Sequence, residues 1–353
     1  MPQASNGDQL SSSPERDAHR LRNGVIWSAA LALLLLGIAL AIPSMRDVLE
    51  RASEAAPIWL VVAVLLEVAS CLGYVAVVRL VLRRGPPREV RRLAWAEMAF
   101  GAVVPLGGAG GLAVGAWAMR AWGAPWARVA NRSAVIFLLT SAVNAAVLGL
   151  AGIGVWLGIG ASQSSVLFGL VPGAIAFTGL MLFLALPLVP SPKNRRGFTW
   201  RVQSGLHRLG VWVRDTESVA RHPDWRLLGA LAYLLCDIAV LWVCLRAVGV
   251  TAPVMALVVA YQIGYLANLL PVPGGVGVLE GGLLAALLLY HLPVTQTAAA
   301  VILYHAIALW IPTIGGTVGF ARLRRSIAAR GPRLQALGGE RAHDVHEASS
   351  LAA

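Results

Sequence analysis

Twelve consecutive residues, Pro271-Val-Pro-Gly-Gly-Val-Gly-Val-Leu-Glu-Gly-Gly282, interrupt sequence that is apolar on both sides. Two prolines and five glycines in that space cannot continue a regular helix, because proline removes a backbone donor and glycine disfavours the helical state. In lipid, such broken backbone survives where protein or a water-filled cavity satisfies its polar groups. Glu280 stands at the break, where an ionised carboxylate is costly unless it is paired or hydrated. A second break lies upstream, Pro105-Leu-Gly-Gly-Ala-Gly-Gly-Leu-Ala-Val-Gly115. The two breaks together read as a binding region inside a membrane.

The surrounding composition supports that setting. The chain is 58% hydrophobic and 13% charged, about half the charge of an average soluble domain. Several apolar runs reach the ~20 residues needed to cross a bilayer. Spans are expected at about 24–42, 57–82, 133–158, 165–189, 227–249 and 297–320, with broken hairpins at about 89–120 and 254–291. The first run is too long and too late for a cleaved leader and reads as a retained helix. The fold class is therefore an all-α polytopic membrane protein with about six full spans and two Gly/Pro-broken hairpins.

Net charge is +12, yet the arginines lie between the spans, as topology rather than nucleic-acid binding distributes them. Arg83, Arg84, Arg88, Arg91 and Arg92 follow the second span, and Arg322, Arg324 and Arg325 follow the last. Both termini are thus expected in the cytoplasm of a cell-membrane protein. Residues 1–22 and 326–353 read as disordered cytoplasmic ends flanking a membrane domain at 23–325. Within it, 193–226 forms a basic cytoplasmic loop; Leu206, Leu209 and Val213 at helical spacing mark an interfacial helix.

Aligning Pro105 with Pro271 also aligns Gly108 with Gly274, Gly111 with Gly277 and Gly115 with Gly281. After a two-residue shift, Gly123-Ala-Pro125 meets His291-Leu-Pro293. Charge counting starts the first hairpin inside and the second outside, so the halves form an inverted repeat. Transporters use that plan to hold a site near the midplane. Pro105, Gly108, Gly111, Pro271, Pro273, Gly274, Gly275 and Gly277 are the expected structural turns.

Candidate substrate-binding residues are the polar groups nearest the breaks. Glu280 suits a cationic headgroup, proton exchange, or a cap on its own helix. Arg132 suits lipid phosphate or a membrane boundary. His305 suits a proton relay or a packed hydrogen-bonding group. Glu97 lies in the first hairpin, Asn268 just before Pro271, and Arg120 at a hairpin end suited to snorkelling. Glu67, Arg79 and Asp237 also lie in or near apolar segments, without evident partners. Trp95, Trp122, Trp126, Trp225 and Trp310 fit interfacial belts. Cys71, Cys236 and Cys244 lack CxxC spacing and read as packing residues. Seven aspartates without a DxD pair disfavour metal–diphosphate chemistry, and no GxSxG or Walker loop is present. Nothing in the sequence calls for a cofactor or a metal.

Pro273-Gly-Gly-Val-Gly-Val-Leu-Glu280, Leu303-Tyr-His305, and Trp310-Ile-Pro312 before Gly315-Gly316 resemble the signature of the lysylphosphatidylglycerol synthase transmembrane region, or flippase-like, family. The resemblance spans roughly 25–325, including Pro105, Arg120, Gly123 and Arg132. It departs from the family pattern at His305, where arginine is usual, and at Gly111-Leu-Ala-Val, where an acid often follows the glycines. It implies a membrane protein that moves modified phospholipids or polyprenyl-linked sugars between leaflets, without the aminoacyl-transfer domain of bifunctional members. Membrane lipids are the expected ligands, with lipid-synthesising enzymes as possible partners. A lipid-modifying membrane enzyme or subunit, and a scaffold for glycolipid assembly, are the alternative readings.

Overall fold

The computed structural model describes residues 43–83, 85–103, 109–159, 166–191, 198–266 and 278–329. The expected span at 24–42, Asn268, and the turn residues Pro105, Gly108, Pro271, Pro273, Gly274, Gly275 and Gly277 lie outside the described residues. Eleven α-helices follow in order. These are α1 (Pro43–Ser53), α2 (Pro57–Val81), α3 (Pro87–Val103), α4 (Ala109–Ala121), α5 (Trp126–Trp156), α6 (Val171–Ala185), α7 (Phe198–Arg221), α8 (Leu228–Ala247), α9 (Val254–Leu266), α10 (Val278–Leu288) and α11 (Val294–Ala328). A π-helical turn, Val166–Leu170, leads into α6, and short 3-10 turns close α6 and open α8. Five segments are long and apolar enough to cross a membrane: Pro57–Val81, Trp126–Trp156, Val166–Leu188, Trp225–Ala247 and Val294–Ala328.

Local chemistry sets the helix ends. Pro57, Pro87, Pro125 and Pro293 stand at or just before helix starts, where their missing N–H costs no helical bond. Gly123 closes α4 in the left-handed region (φ 81°), with Ala124 N donating to Met119 O at 2.9 Å. His291 takes the same conformation (φ 60°) between α10 and α11. The Gly123 and His291 positions that align in sequence thus make equivalent turns, and histidine is among the side chains that tolerate this region better than most.

The helices pack as two matching halves. The equivalence runs α1 to α7, α2 to α8, α3 to α9, α4 to α10 and α5 to α11. In each half the hairpin arms pack on each other, and the second arm touches the helix that follows. The first arm of each hairpin crosses to the other half, α3 to α11 and α9 to α5. The amphipathic helices cross likewise, α1 to α11 and α7 to α5. Helix α2 pairs with its own equivalent α8, and these two run antiparallel: Ala56 N donates to Ala247 O at 3.1 Å, and Ser70 Oγ to Tyr233 O at 2.9 Å. Equivalent helices pointing in opposite directions make the repeat inverted.

Small residues let these seams close. A β-carbon at Gly73 would stand 2.7 Å from Gly229 O, and one at Gly229 2.6 Å from Gly73 O. Along α3 and α11, Trp95 packs over Gly315 and Gly319. As described, α3 and α4 contain 17 and 13 residues, and α9 and α10 contain 13 and 11. At 1.5 Å per residue, these arms fall short of the ~30 Å hydrocarbon core.

Several expectations need correction. Gly111, expected in a turn, lies inside α4, where its missing side chain admits the carbonyl of Glu97. Trp95 is part of a helix contact rather than an interfacial belt, and Trp122 packs against Met119, Ala124 and Val129. Residues 43–53, between the first two expected spans, form α1 against α11. Helix α5 starts at Trp126, ahead of the expected 133, and α11 runs to Ala328, past the expected domain end at 325. The helix expected in the basic loop is α7. Its Val213 is fully buried, while Leu206 and Leu209 are exposed.

Gly73→Ala and Gly229→Ala should each destabilise the protein by about 1–3 kcal/mol, the usual cost of overpacking. Gly205→Ala, with open space around the position, should not. Thermal unfolding of the three purified variants in one detergent tests this.

Candidate functional site

The polar candidates assemble as two separate pairs. Helix α10 begins at Val278, directly after the glycine-rich break, and carries Glu280 in its first turn. Packing of α10 on α11 brings Glu280 Oε1 to 3.2 Å from His305 Nδ1. The side chains remain 21% and 32% exposed, so both are open enough to meet a ligand. Histidine and carboxylate can share or exchange one proton near neutral pH. As an ion pair they present an anion and a cation side by side, the complement of a zwitterionic headgroup. The location beside an interrupted helix is where a membrane protein tolerates such groups.

The second pair is closed. Arg132 on α5 forks onto Glu97 on α3, Nη1 to Oε1 at 2.5 Å and Nη2 to Oε2 at 2.7 Å. Tyr74 on α2 donates to Glu97 Oε2 at 3.2 Å. Both charged side chains are almost fully buried, at 4% and 2% exposed. Gly115 on α4 leaves the space they occupy, since a β-carbon there would stand 2.8 Å from Arg132 Nη1. Planar bidentate geometry suits guanidinium and carboxylate. The pair ties α3 to α5 across α4 and so clamps the first hairpin to the helix after it.

The two pairs stand on different elements, Glu280 and His305 on α10 and α11, Glu97 and Arg132 on α3 and α5. Trp95 meets α11 at Gly315, and His305 lies ten residues away on that helix, about 15 Å along its axis. Arg120 is also occupied locally. Its Nη1 donates to Ala124 O at 2.8 Å, and its guanidinium lies 5.1 Å from the centre of the Trp126 ring. That arrangement braces the α4–α5 turn at the helix ends.

Sequence reading did not reach a third cluster. Asp237, at mid-length of α8, accepts the Tyr261 hydroxyl from α9 and the Tyr304 hydroxyl from α11, the latter at 3.1 Å. Tyr265 adds a 3.2 Å contact between its hydroxyl and that of Tyr304. Glu67 is buried nearby on α2. The available signal was one acid near the centre of each of two apolar spans, together with the Tyr261–Tyr265 spacing on one helical face. Among the described residues, no three His, Cys, Asp or Glu side chains come together to hold a metal ion.

With this arrangement in hand, comparison with known families is decisive. The family model described as Lysylphosphatidylglycerol synthase TM region matches residues 25–316. The chain belongs to that family. The matched region contains both described hairpins and all three polar clusters. No curated protein matches the chain significantly.

Breaking the buried pair from one side should be costly, because the remaining charge loses its partner in a dry site. Arg132→Met and Glu97→Gln should each destabilise by about 3–5 kcal/mol. The double variant should recover a large part of that loss. A double-mutant cycle on thermal stability checks the coupling.

Proposed function

We propose that the protein translocates a lipid with a charged headgroup between the leaflets of the cell membrane. The observation that carries this reading is the partly exposed Glu280–His305 pair, with Glu280 in the first turn of the half-helix that starts at Val278 and His305 on the helix packed against it. An inverted repeat supplies the means, because rocking one half against the other exposes a fixed site first to one face and then to the other. The headgroup would enter the polar break while the acyl chains remain in lipid. Glu280 meets the cationic part of that headgroup and protonated His305 its phosphate.

Membership of a lipid-related membrane family supports this class of substrate. A phospholipid modified with a cationic group would meet both members of the pair, whereas a polyprenyl-linked glycolipid would meet His305 through its phosphate. Glu97 and Arg132 act in this reading as the clamp that keeps the first hairpin in place. The activity is transport rather than covalent change of the lipid, and lipid-synthesising enzymes are its natural suppliers.

The distribution of arginine supports an orientation. Arg83, Arg88, Arg91 and Arg92 lie at the end of α2 and start of α3, next to Arg322, Arg324 and Arg325 of the antiparallel α11. Arg83 also pairs with Asp224 at 3.4 Å, which brings in the connection after basic α7. By the positive-inside rule this end faces the cytoplasm, and both termini follow it there.

The test compares total and outer-leaflet lipid in a deletion strain complemented with the wild-type protein, Glu280→Gln or His305→Ala. Loss of one charge-assisted hydrogen bond, about 1.5–3 kcal/mol, should slow appearance in the outer leaflet by roughly 10- to 100-fold, with total lipid unchanged. Loss of the lipid itself would assign the protein to synthesis instead. Unchanged sidedness in both variants would remove the pair from transport.

A further inference from the structure

The Glu67–Asp237 cluster has no role in headgroup contact or in clamping the hairpin, yet it occupies the centre of the molecule. Glu67 is the eleventh residue of the 25-residue α2, and Asp237 the tenth of the 20-residue α8. The Ser70–Tyr233 hydrogen bond fixes their register. Glu67 lies one turn before Ser70, and Asp237 one turn after Tyr233 on the antiparallel partner, so the two acids are level. They are near enough for Asp237 to act electrostatically on Glu67.

Their surroundings differ. Asp237 accepts two tyrosine hydroxyls, which suits the ionised, acceptor-only form. Glu67 has a weak thiol donor, Cys71 Sγ, 3.6 Å from Oε1. Among the described residues its Oε2 is buried without a hydrogen-bond partner, and the residue is 5% exposed. The groups facing the two acids are Cys71 and Tyr74 from α2, Tyr233 and Cys236 from α8, Tyr261 and Tyr265 from α9, and Tyr304 from α11. None is a cation. Two ionised carboxylates here would repel each other and lack water. One proton shared by the pair removes that conflict, and the unmatched Oε2 of Glu67 is the place for it.

We propose that Glu67 and Asp237 form a proton-binding site, with Glu67 carrying the proton and Asp237 the charge, and that this site couples lipid movement to proton movement. The acids sit in the α2–α8 seam, where each half meets its inverted equivalent, so rocking of the halves changes their access to water. On the side where the seam opens, the Glu67 O–H bond breaks and the proton passes to water, leaving the carboxylate. On the other side water returns a proton to the same oxygen, and no electrons are exchanged. The coupling rests on the translocation reading above; the proton site does not.

The experiment reconstitutes the full chain in phosphatidylglycerol vesicles containing a trace of fluorescent phosphatidylethanolamine, a zwitterionic probe, with and without an imposed pH gradient. In the wild-type protein the steady-state leaflet ratio should shift by up to about tenfold per pH unit for one coupled proton. Glu67→Gln and Asp237→Asn, at wild-type thermal stability, should lose that shift. A gradient response that survives in both variants overturns the site, and wild-type exchange that ignores the gradient overturns the coupling. If the wild-type protein moves no probe lipid, the translocation reading fails for this probe, and infrared spectroscopy decides the site separately. A protonated-carboxyl band in the wild-type protein that vanishes in Glu67→Gln supports it. The same band unchanged in that variant overturns it.

Discussion

Close approach of α2 and α8 through Gly73 and Gly229 is the contact on which the rest of the structure depends. Apolar side chains gain little from leaving lipid for one another, so helices in a membrane hold together through tight packing and polar contacts. Here the two backbones come near enough that neither glycine has room for a β-carbon. Because α2 and α8 are equivalent and antiparallel, this single seam also defines the relation between the halves. The crossing contacts, α3 with α11 and α9 with α5, α1 with α11 and α7 with α5, then follow as symmetry pairs. The pseudo-symmetry is a consequence of packing two similar half-chains with opposite orientation.

Charge is distributed over that frame according to what each position can neutralise. The driest ion pair, Glu97–Arg132, uses the most demanding geometry: a bidentate fork with Tyr74 as a third partner. Glu280 and His305 keep some exposure, and their pairing is of a kind that a ligand can replace. Asp237 is matched by tyrosine hydroxyls from two other helices, without a cation. These are three solutions to one desolvation problem. They grade from structural closure to ligand access, and the most closed pair ties the first hairpin to the helix that follows it.

Family membership and architecture constrain each other usefully. The family match covers the inverted repeat but does not by itself assign a transported lipid. Conversely, an inverted repeat with broken hairpins is a mechanical plan shared by transporters of unrelated substrates. What narrows the reading is the chemistry beside the second break, where an acid and a histidine stand 3.2 Å apart.

Much of the architecture was legible in the chain itself. Apolar run length determined the described spans, the proline and glycine clusters marked the hairpins, and arginine placement indicated their common end. The alignment of Gly123 with His291 anticipated two equivalent left-handed turns. Sequence also named Glu280 and His305 as separate candidates, one at the second break and one within the last span. It could not show that Arg132 would meet Glu97, 35 residues away, or that tyrosines from α9 and α11 would converge on Asp237. The physical reason is that α2, α5, α8, α9 and α10 are apolar almost all round, so their periodicity does not reveal which face turns inward. Helix rotation is set by where glycine lets a neighbour approach and where a buried charge finds its partner, and only the tertiary structure decides both.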